Sequence, residues 1–169
     1  MKTMYEKSIV VYVGMAEMVT TNDPNKILCS SGLGSCIGLV MYDAVAKCSG
    51  LVHIVLPDSS QCRDNSKPGK FADTAISVLL NSMKALGSEK YNLVIKAAGG
   101  AKMFSTIKSK ANYFNIGERN FDAVEEHLKK HGLKLKAYDV SGNEGRTLKL
   151  VCRNGTVTVK KVNKIEFIL

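Results

Sequence analysis

Two short apolar runs in the first third of the chain constrain the fold more than any other feature of the sequence. Within residues 36–43 and 51–56 most side chains are apolar, and they stand at consecutive positions rather than at alternate ones. A strand with this pattern has apolar side chains on both of its faces, so other parts of the protein must cover both. The two runs are therefore predicted to be buried central strands of a layered protein.

The rest of the chain alternates short strand patterns with two helix patterns. Apolar stripes at helical spacing predict helices over residues 71–86 and 120–131, which Gly87 and Gly132 follow. Further strands are predicted at 8–13, 16–20, 27–31, 91–97, 133–140, 148–152 and 156–162, with the last two joined around Asn154 and Gly155. Residues 103–113 fit neither pattern. Many antiparallel strands with two helices predict an α+β fold, a layered sandwich of mixed or antiparallel β-sheet with helices packed on one face.

The size and composition of the chain favour one globular domain over residues 1–169. Hydrophobic residues make up 45% of the sequence and charged residues 23%, as in ordinary globular proteins. The longest apolar run, within residues 36–42, is far shorter than the ~20 residues that a membrane span needs. The N-terminal segment is interpreted as a first strand rather than a signal peptide. We therefore expect a cytoplasmic protein without membrane insertion.

The net charge of +9 is large for a chain of this length. The lysines are spread along the sequence, and aromatic residues are not interleaved with them as they are in proteins that stack nucleic-acid bases. An acidic protein partner, attracted by the positive field, is thus expected in preference to nucleic acid. The alternative interpretation is a basic surface that serves only to keep the protein in solution.

The cysteines and histidines do not form a recognisable metal pattern. There are five cysteines, an odd number, and no C-x-x-C pair, so free thiols are favoured over a disulfide framework or a zinc site. His127 and His131 have the i, i+4 spacing of a chelating pair, but their position at the end of a predicted helix favours a solvated basic terminus. No metal or organic cofactor is expected.

A thiol and an imidazole accompany the two apolar runs. Cys36 follows the glycine-rich turn of residues 32–35, and His53 lies in the second run. Together they are the minimum set for nucleophilic catalysis by a thiolate. Backbone N–H groups of a turn through Gly34 and Ser35 would converge near the sulfur, favour its thiolate form and hold an oxyanion. The alternative is a core thiol and a core histidine.

The register of the two runs decides whether these side chains can meet. A hairpin centred between residues 44 and 45 would place Cys36 directly opposite His53, and a loop centred slightly later would displace them by a few residues. The sequence also matches a nucleophile elbow over residues 34–38, but that arrangement requires a late catalytic histidine, and the only late histidines, His127 and His131, lie at the end of an ordinary predicted helix. The dinucleotide-binding fingerprint fails because Ile37 stands where a third glycine is needed.

Several motifs resemble those of the CheD family of chemoreceptor glutamine deamidases. The run GLGSC at 32–36, followed by LVHIVLP at 51–57, is similar to the signature of that family. Further matches in the same order are KFADTA at 70–75, AGGA at 98–101, MF at 103–104, NIGERN at 115–120, and GN at 142–143 with Arg146. The resemblance covers nearly the whole chain.

The resemblance implies a cysteine hydrolase that converts glutamines on the cytoplasmic helices of chemoreceptors to glutamates, with possible receptor methylesterase activity. It implies Cys36 as nucleophile, His53 as general base, and Ser30 at the position of a family threonine six residues before the cysteine. The implied partners are the chemoreceptor cytoplasmic domain and the CheC phosphatase. The sequence leaves two alternatives open: a non-catalytic adaptor that acts through CheC, and a cysteine peptidase with a different substrate.

Overall fold

The computed structural model describes residues 8–60, 62–103, 115–162 and 164–169. This part of the chain contains ten β-strands and two α-helices. The strands are β1 (Ile9–Tyr12), β2 (Met18–Thr21), β3 (Lys26–Leu33), β4 (Ile37–Asp43), β5 (Cys48–Ile54), β6 (Leu93–Gly99), β7 (Ala137–Val140), β8 (Arg146–Val151), β9 (Thr156–Lys161) and β10 (Phe167–Ile168), and the helices are α1 (Ala72–Ala85) and α2 (Ile116–Lys130).

The strands form two sheets of five strands each. The first sheet has the order β1-β3-β8-β9-β10 and the second has the order β2-β5-β4-β6-β7. Each sheet is antiparallel except for one parallel pair at an edge, β1 with β3 and β6 with β7. The mixed pairing confirms the predicted α+β class.

Two apolar cores lie on opposite faces of the second sheet. One core packs that sheet against α1 and α2, through residues such as Leu39, Leu79 and Val124. The other fills the space between the two sheets and includes Val40 and Leu148. Because β4 and β5 contribute to both cores, nearly every residue of these strands is buried, which explains their unbroken apolar sequence and confirms that they are central.

The predicted elements are largely present, with differences at their ends. α2 begins at Ile116, four residues before the predicted start, so that Asn120 lies within the helix. The predicted strand over residues 133–140 is shortened to β7, because Leu133 and Leu135 pack against the helix-side core as a loop instead. β10 was not predicted. Of the ambiguous segment 103–113, only Met103 lies within the described residues. None of the helices in the described part of the chain is long and apolar enough to span a membrane.

Candidate active site

Ser30 and His53 meet in the space between the two sheets. Ser30 lies on β3 of the first sheet and His53 on β5 of the second, and both side chains are buried. The Ser30 hydroxyl oxygen is 2.9 Å from Nδ1 of His53. The same hydroxyl donates a hydrogen bond of 2.9 Å to the backbone carbonyl of Val13. The serine therefore connects the imidazole to the backbone of the first sheet's edge.

The hydrogen bonds of Ser30 determine which nitrogen of His53 carries the proton. A serine hydroxyl has one hydrogen, and here the carbonyl of Val13, which can only accept, takes it. The contact with His53 must then be a bond from Nδ1–H to the serine oxygen. Nε2 is left with a free electron pair, and this buried atom has no hydrogen-bond partner in the part of the chain that the structure describes. His53 is thus held in the tautomer that can accept a proton at Nε2.

Cys36 lies on the same face of the second sheet as His53. In the β4–β5 pair, Gly38 is opposite His53, and Cys36 is two residues before Gly38. Diagonal neighbours of this kind are roughly 7–8 Å apart between backbones, within reach of an imidazole side chain. The connecting loop is centred between residues 45 and 46, slightly later than a turn between 44 and 45, so Cys36 and His53 are displaced by two residues, as expected for a later loop.

The turn that carries Cys36 is held in place by the segment after β6. The N–H of Gly100 donates to the carbonyl of Cys36 at 2.9 Å, and the N–H of Ala101 donates to the carbonyl of Gly34 at 2.8 Å. Gly99 approaches so closely that a Cβ atom there would lie 2.0 Å from the Cys36 carbonyl oxygen, and its φ of 125° disfavours other residues. The glycines at 99 and 100 therefore allow the close contact that fixes the turn of residues 34–36, the candidate nucleophile turn.

The carbonyl groups of the turn determine where its N–H groups point. In a trans peptide the C=O and N–H directions are opposite, so the N–H of Ser35 points away from Ala101, the residue that binds the Gly34 carbonyl. Neither that N–H nor the N–H of Cys36 donates to a backbone or side-chain group of another residue within the described ranges. The N–H of Gly34 is already bonded to the carbonyl of Gly32 at 2.9 Å. Among the N–H groups of this turn, that of Gly34 is thus used within the turn, whereas those of Ser35 and Cys36 bind no other described residue.

Burial keeps both the thiol and the imidazole uncharged at neutral pH. Burial raises the pKa of the Cys36 thiol above its ordinary value of 9.0, although a hydrogen bond from its own N–H acts in the opposite direction. Burial also lowers the pKa of His53 below 6.5, against the opposing effects of the Val13 carbonyl and the Glu17 charge. The N–H of Cys36 thus favours the thiolate, as expected for the turn, but burial has the larger effect and the net pKa is raised.

The surroundings of Cys36 restrict access to the sulfur. Cys36 is only 8% exposed, and the side chain of Met103 lies over the turn, since a Cβ atom on Gly34 would be 3.0 Å from its Sδ. Cys62, by contrast, is partly exposed, and Nζ of Lys70 is 3.8 Å from its sulfur. A small thiol reagent is therefore expected to reach Cys62 more easily than Cys36 in the free protein.

The other histidines lie apart from this site. Nε2 of His131 is 3.1 Å from the hydroxyl of Ser77 on α1, so that ring nitrogen already has a partner. Among the described residues no cluster of histidine, cysteine or carboxylate side chains could hold a metal ion.

Asn120 is a member of the site that the sequence analysis left without a role. It lies in the first turns of α2, and its side-chain amide donates to the carbonyls of Ser35 and Val55, both at 2.9 Å. The motif NIGERN, which includes this residue, was among the matches to the CheD family, and this was the only signal that could have pointed to it.

Comparison with known proteins gives a consistent family assignment. The family model described as CheD chemotactic sensory transduction matches residues 55–161. A protein from Caldanaerobacter subterraneus subsp. tengcongensis, named probable chemoreceptor glutamine deamidase CheD, is 46% identical over 92% of this chain and 95% of its own length. A protein of the same name from Clostridium botulinum strain Eklund 17B is 47% identical over 90% of this chain and 93% of its own.

Among solved structures, the Neisseria meningitidis protein NMB0706 of family DUF152 has a TM-score of 0.49 and 8% identity, over 80% of this chain and 64% of that one. This likeness is too low to support a functional argument. The sequence relatives and the family model are sufficient by themselves: the chain belongs to the CheD family.

Proposed function

We propose that this protein is a chemoreceptor glutamine deamidase that uses Cys36 as its nucleophile and His53 as its general base. The names of its relatives supply the reaction and the substrate. The single observation that carries the residue assignment is the hydrogen bond between Ser30 and His53, which leaves Nε2 free to accept a proton. Cys36 lies on the same face of the sheet, beside the N–H groups of Ser35 and Cys36, which donate to no other residue in the part of the chain that the structure describes.

The reaction begins when the Cys36 thiol, which makes no hydrogen bond to Nε2 of His53 in the free protein, turns toward that atom and transfers its proton to it. The sulfur forms a bond to the carbon of the glutamine carboxamide, and the negative charge moves to the carboxamide oxygen. The N–H groups of Ser35 and Cys36 are suited to bind this oxyanion. As the tetrahedral species collapses, the carbon–nitrogen bond breaks and the imidazolium gives its proton to the departing ammonia. A thioester of Cys36 remains.

Hydrolysis of the thioester completes the cycle. A water molecule gives a proton to Nε2 of His53 while its oxygen attacks the thioester carbon, and the carbon–sulfur bond then breaks with return of that proton to the sulfur. The products are a glutamate side chain and the free thiol. The uncharged resting state of Cys36 and His53 suits these two steps, because His53 is already in its basic form near neutral pH.

The direct test is to map deamidation on a receptor. The purified protein is incubated with the cytoplasmic fragment of a chemoreceptor, and peptides are analysed by mass spectrometry. We expect gains of about one dalton at selected glutamines, together with release of ammonia in equal amount. A receptor fragment that gains no mass beyond a protein-free control would contradict the proposed activity.

The role of Ser30 gives a graded prediction. Replacing Ser30 with alanine removes the acceptor for Nδ1–H of His53, so the ring loses its orientation but keeps its basic nitrogen. We expect the deamidation rate to fall by roughly tenfold, within the range found for groups that orient a catalytic residue. Ser30→Thr keeps the hydroxyl and introduces the threonine that the family resemblance implies at this position, so it should retain the activity. An unchanged rate in Ser30→Ala would remove this residue from the site.

The finer parts of the proposal concern partners and substrates. The net charge of +9 supports attraction to an acidic surface such as a glutamate-rich receptor bundle in the cytoplasm. A methyl ester could form the same thioester with methanol as the leaving group, which supports receptor methylesterase activity as a second reaction. Binding of the CheC phosphatase rests on the family resemblance alone. A non-catalytic adaptor is disfavoured because Cys36 and His53 are both present with an oriented ring.

A further inference from the structure

The side chain of Asn120 joins the two segments that carry the nucleophile and the base. Its Nδ2 donates one hydrogen bond of 2.9 Å to the carbonyl of Ser35 and a second of 2.9 Å to the carbonyl of Val55. Ser35 immediately precedes Cys36, and Val55 follows His53 by two residues. The partners lie 85 and 65 residues away in sequence. One amide group therefore connects three separate parts of the chain.

The bond to Ser35 acts on a peptide group that the reaction would use. The carbonyl of Ser35 and the N–H of Cys36 belong to the same planar peptide, so fixing the direction of one fixes the direction of the other. That N–H is one of the two proposed oxyanion donors. The position of Asn120 thus determines where this donor points relative to the strand that carries His53.

The start of α2 is packed tightly enough to hold Asn120 in place. A Cβ atom on Gly117 would lie 2.6 Å from the backbone of Gly100, within the same segment whose N–H groups bind the nucleophile turn. Only a glycine permits the helix to come this close. Asn120, one turn further along, is fully buried.

The remaining polar atom of Asn120 argues against a purely structural role. Its Oδ1 is buried and has no hydrogen-bond partner among the residues that the structure describes. Rotating the amide by half a turn would place this oxygen against two carbonyl oxygens, so the observed orientation is set by the two bonds of Nδ2. A buried polar atom without a partner costs free energy. A residue whose only role was to stabilise the core would not be expected to carry that cost.

We propose that Asn120 is a positioning residue, which holds the peptide between Ser35 and Cys36 at a fixed place relative to His53. This inference rests on the proposed function of Cys36 and His53, and it adds a residue to which nothing else assigns a role. It predicts that loss of the amide impairs the chemical step more than substrate binding, because the site stays present but loses its alignment.

The test compares Asn120→Ala with Val124→Ala as a matched control. Val124 is buried one turn further along α2, but it lies in the helix-side core and not in the core that contains Cys36. Asn120→Ser, which keeps one donor, is included as a milder change. Each variant is assayed on a chemoreceptor cytoplasmic fragment, at a temperature where circular dichroism shows it to be folded.

We expect Asn120→Ala to lower kcat by roughly ten- to hundredfold while KM changes by less than about threefold. Asn120→Ser should fall between this variant and the wild type. Val124→Ala should keep the wild-type kcat even if it loses as much thermal stability. Equal losses of kcat in Asn120→Ala and Val124→Ala would overturn the inference, because the effect would then follow stability alone.

A second measurement does not depend on turnover. Cys36 is alkylated with iodoacetamide over a range of pH and the modification is mapped by mass spectrometry, with Cys62 of the same molecule as internal reference. In Asn120→Ala the released turn should expose the sulfur, so alkylation of Cys36 should become faster and its midpoint should move to lower pH. Cys62 should not change, and Val124→Ala should resemble the wild type.

The two measurements separate failure of this inference from failure of the proposed function. If Cys36→Ala still deamidates the receptor fragment, the proposed nucleophile is wrong, but a shifted alkylation profile in Asn120→Ala still supports positioning of the turn. An unchanged profile for Cys36 in Asn120→Ala overturns the inference, whatever the deamidation assay gives.

Discussion

Replacing Cys36 with alanine is expected to abolish deamidation of a chemoreceptor fragment. The sulfur forms the only covalent bond to the substrate in the proposed mechanism, and neither His53 nor the backbone N–H groups can replace it. Removal of a catalytic nucleophile typically lowers kcat by several orders of magnitude, so the rate should fall by roughly 10³-fold or more. Ammonia release and mass gain at receptor glutamines, measured on the same samples, report the loss in two independent ways.

Cys152→Ala is the matched control for this experiment. Cys152 is buried to a similar extent as Cys36, at 4% exposed, and belongs to the same core between the sheets. Its substitution removes an equivalent thiol with a similar loss of packing, but it should leave the deamidation rate unchanged. If Cys36→Ala is folded and still releases ammonia at a rate close to that of Cys152→Ala, the cysteine mechanism is wrong and the site must be sought elsewhere.

The sequence predicts those features of the molecule that depend on local patterns. The central position of β4 and β5 follows from their unbroken apolar residues, and the place of the β8–β9 connection follows from Asn154 and Gly155. The α+β class follows from the order of the elements. The exact register of Cys36 and His53 stayed open within a few residues, since a loop centre is poorly defined when no strong turn residue marks it.

The features that the sequence does not predict depend on contacts between distant residues. Asn120 binds carbonyl groups far away in the chain, and, apart from the family motif NIGERN, nothing in its neighbourhood distinguishes it from a polar residue on a helix surface. The bond between Ser30 and the Val13 carbonyl, which determines the tautomer of His53, requires the parallel pairing of β1 with β3. The charge state of Cys36 likewise depends on how deeply the assembled sheets bury it.

The second large effect is expected on stability, from the carboxylate of Asp43. This buried side chain lies at the end of β4. One oxygen accepts hydrogen bonds of 2.9 Å from the N–H groups of Val45 and Ala46, and the other accepts bonds from the Ser88 hydroxyl at 2.8 Å and the Glu89 N–H at 3.1 Å. Asp43 thus connects the β4–β5 loop to the segment between α1 and β6.

Replacing Asp43 with alanine leaves four donors without their acceptor in or near the core. Bonds to a charged group contribute about 1.5–3 kcal/mol each and are not additive, so the free energy of unfolding at neutral pH should fall by roughly 3–5 kcal/mol. Urea unfolding followed by circular dichroism measures this change. Asp64→Ala is the control, because Asp64 makes its bond to the N–H of Ser66 in an exposed loop. A loss in Asp43→Ala no larger than in Asp64→Ala would contradict this account.

The contribution of Asp43 should also depend on pH in a defined direction. Burial alone would raise the pKa of its carboxyl, but the hydrogen bonds from Ala46, Ser88, Glu89 and Val45 bring the pKa below the ordinary value of 3.8. A group whose pKa is lowered by folding stabilises the protein fully above its unfolded value and loses that effect as the pH falls through its folded value. The stability difference between the wild type and Asp43→Ala should therefore be constant from pH 5 to 7 and shrink below pH 3.8. A difference that grows on acidification would show that the donors around Asp43 do not favour its charged form.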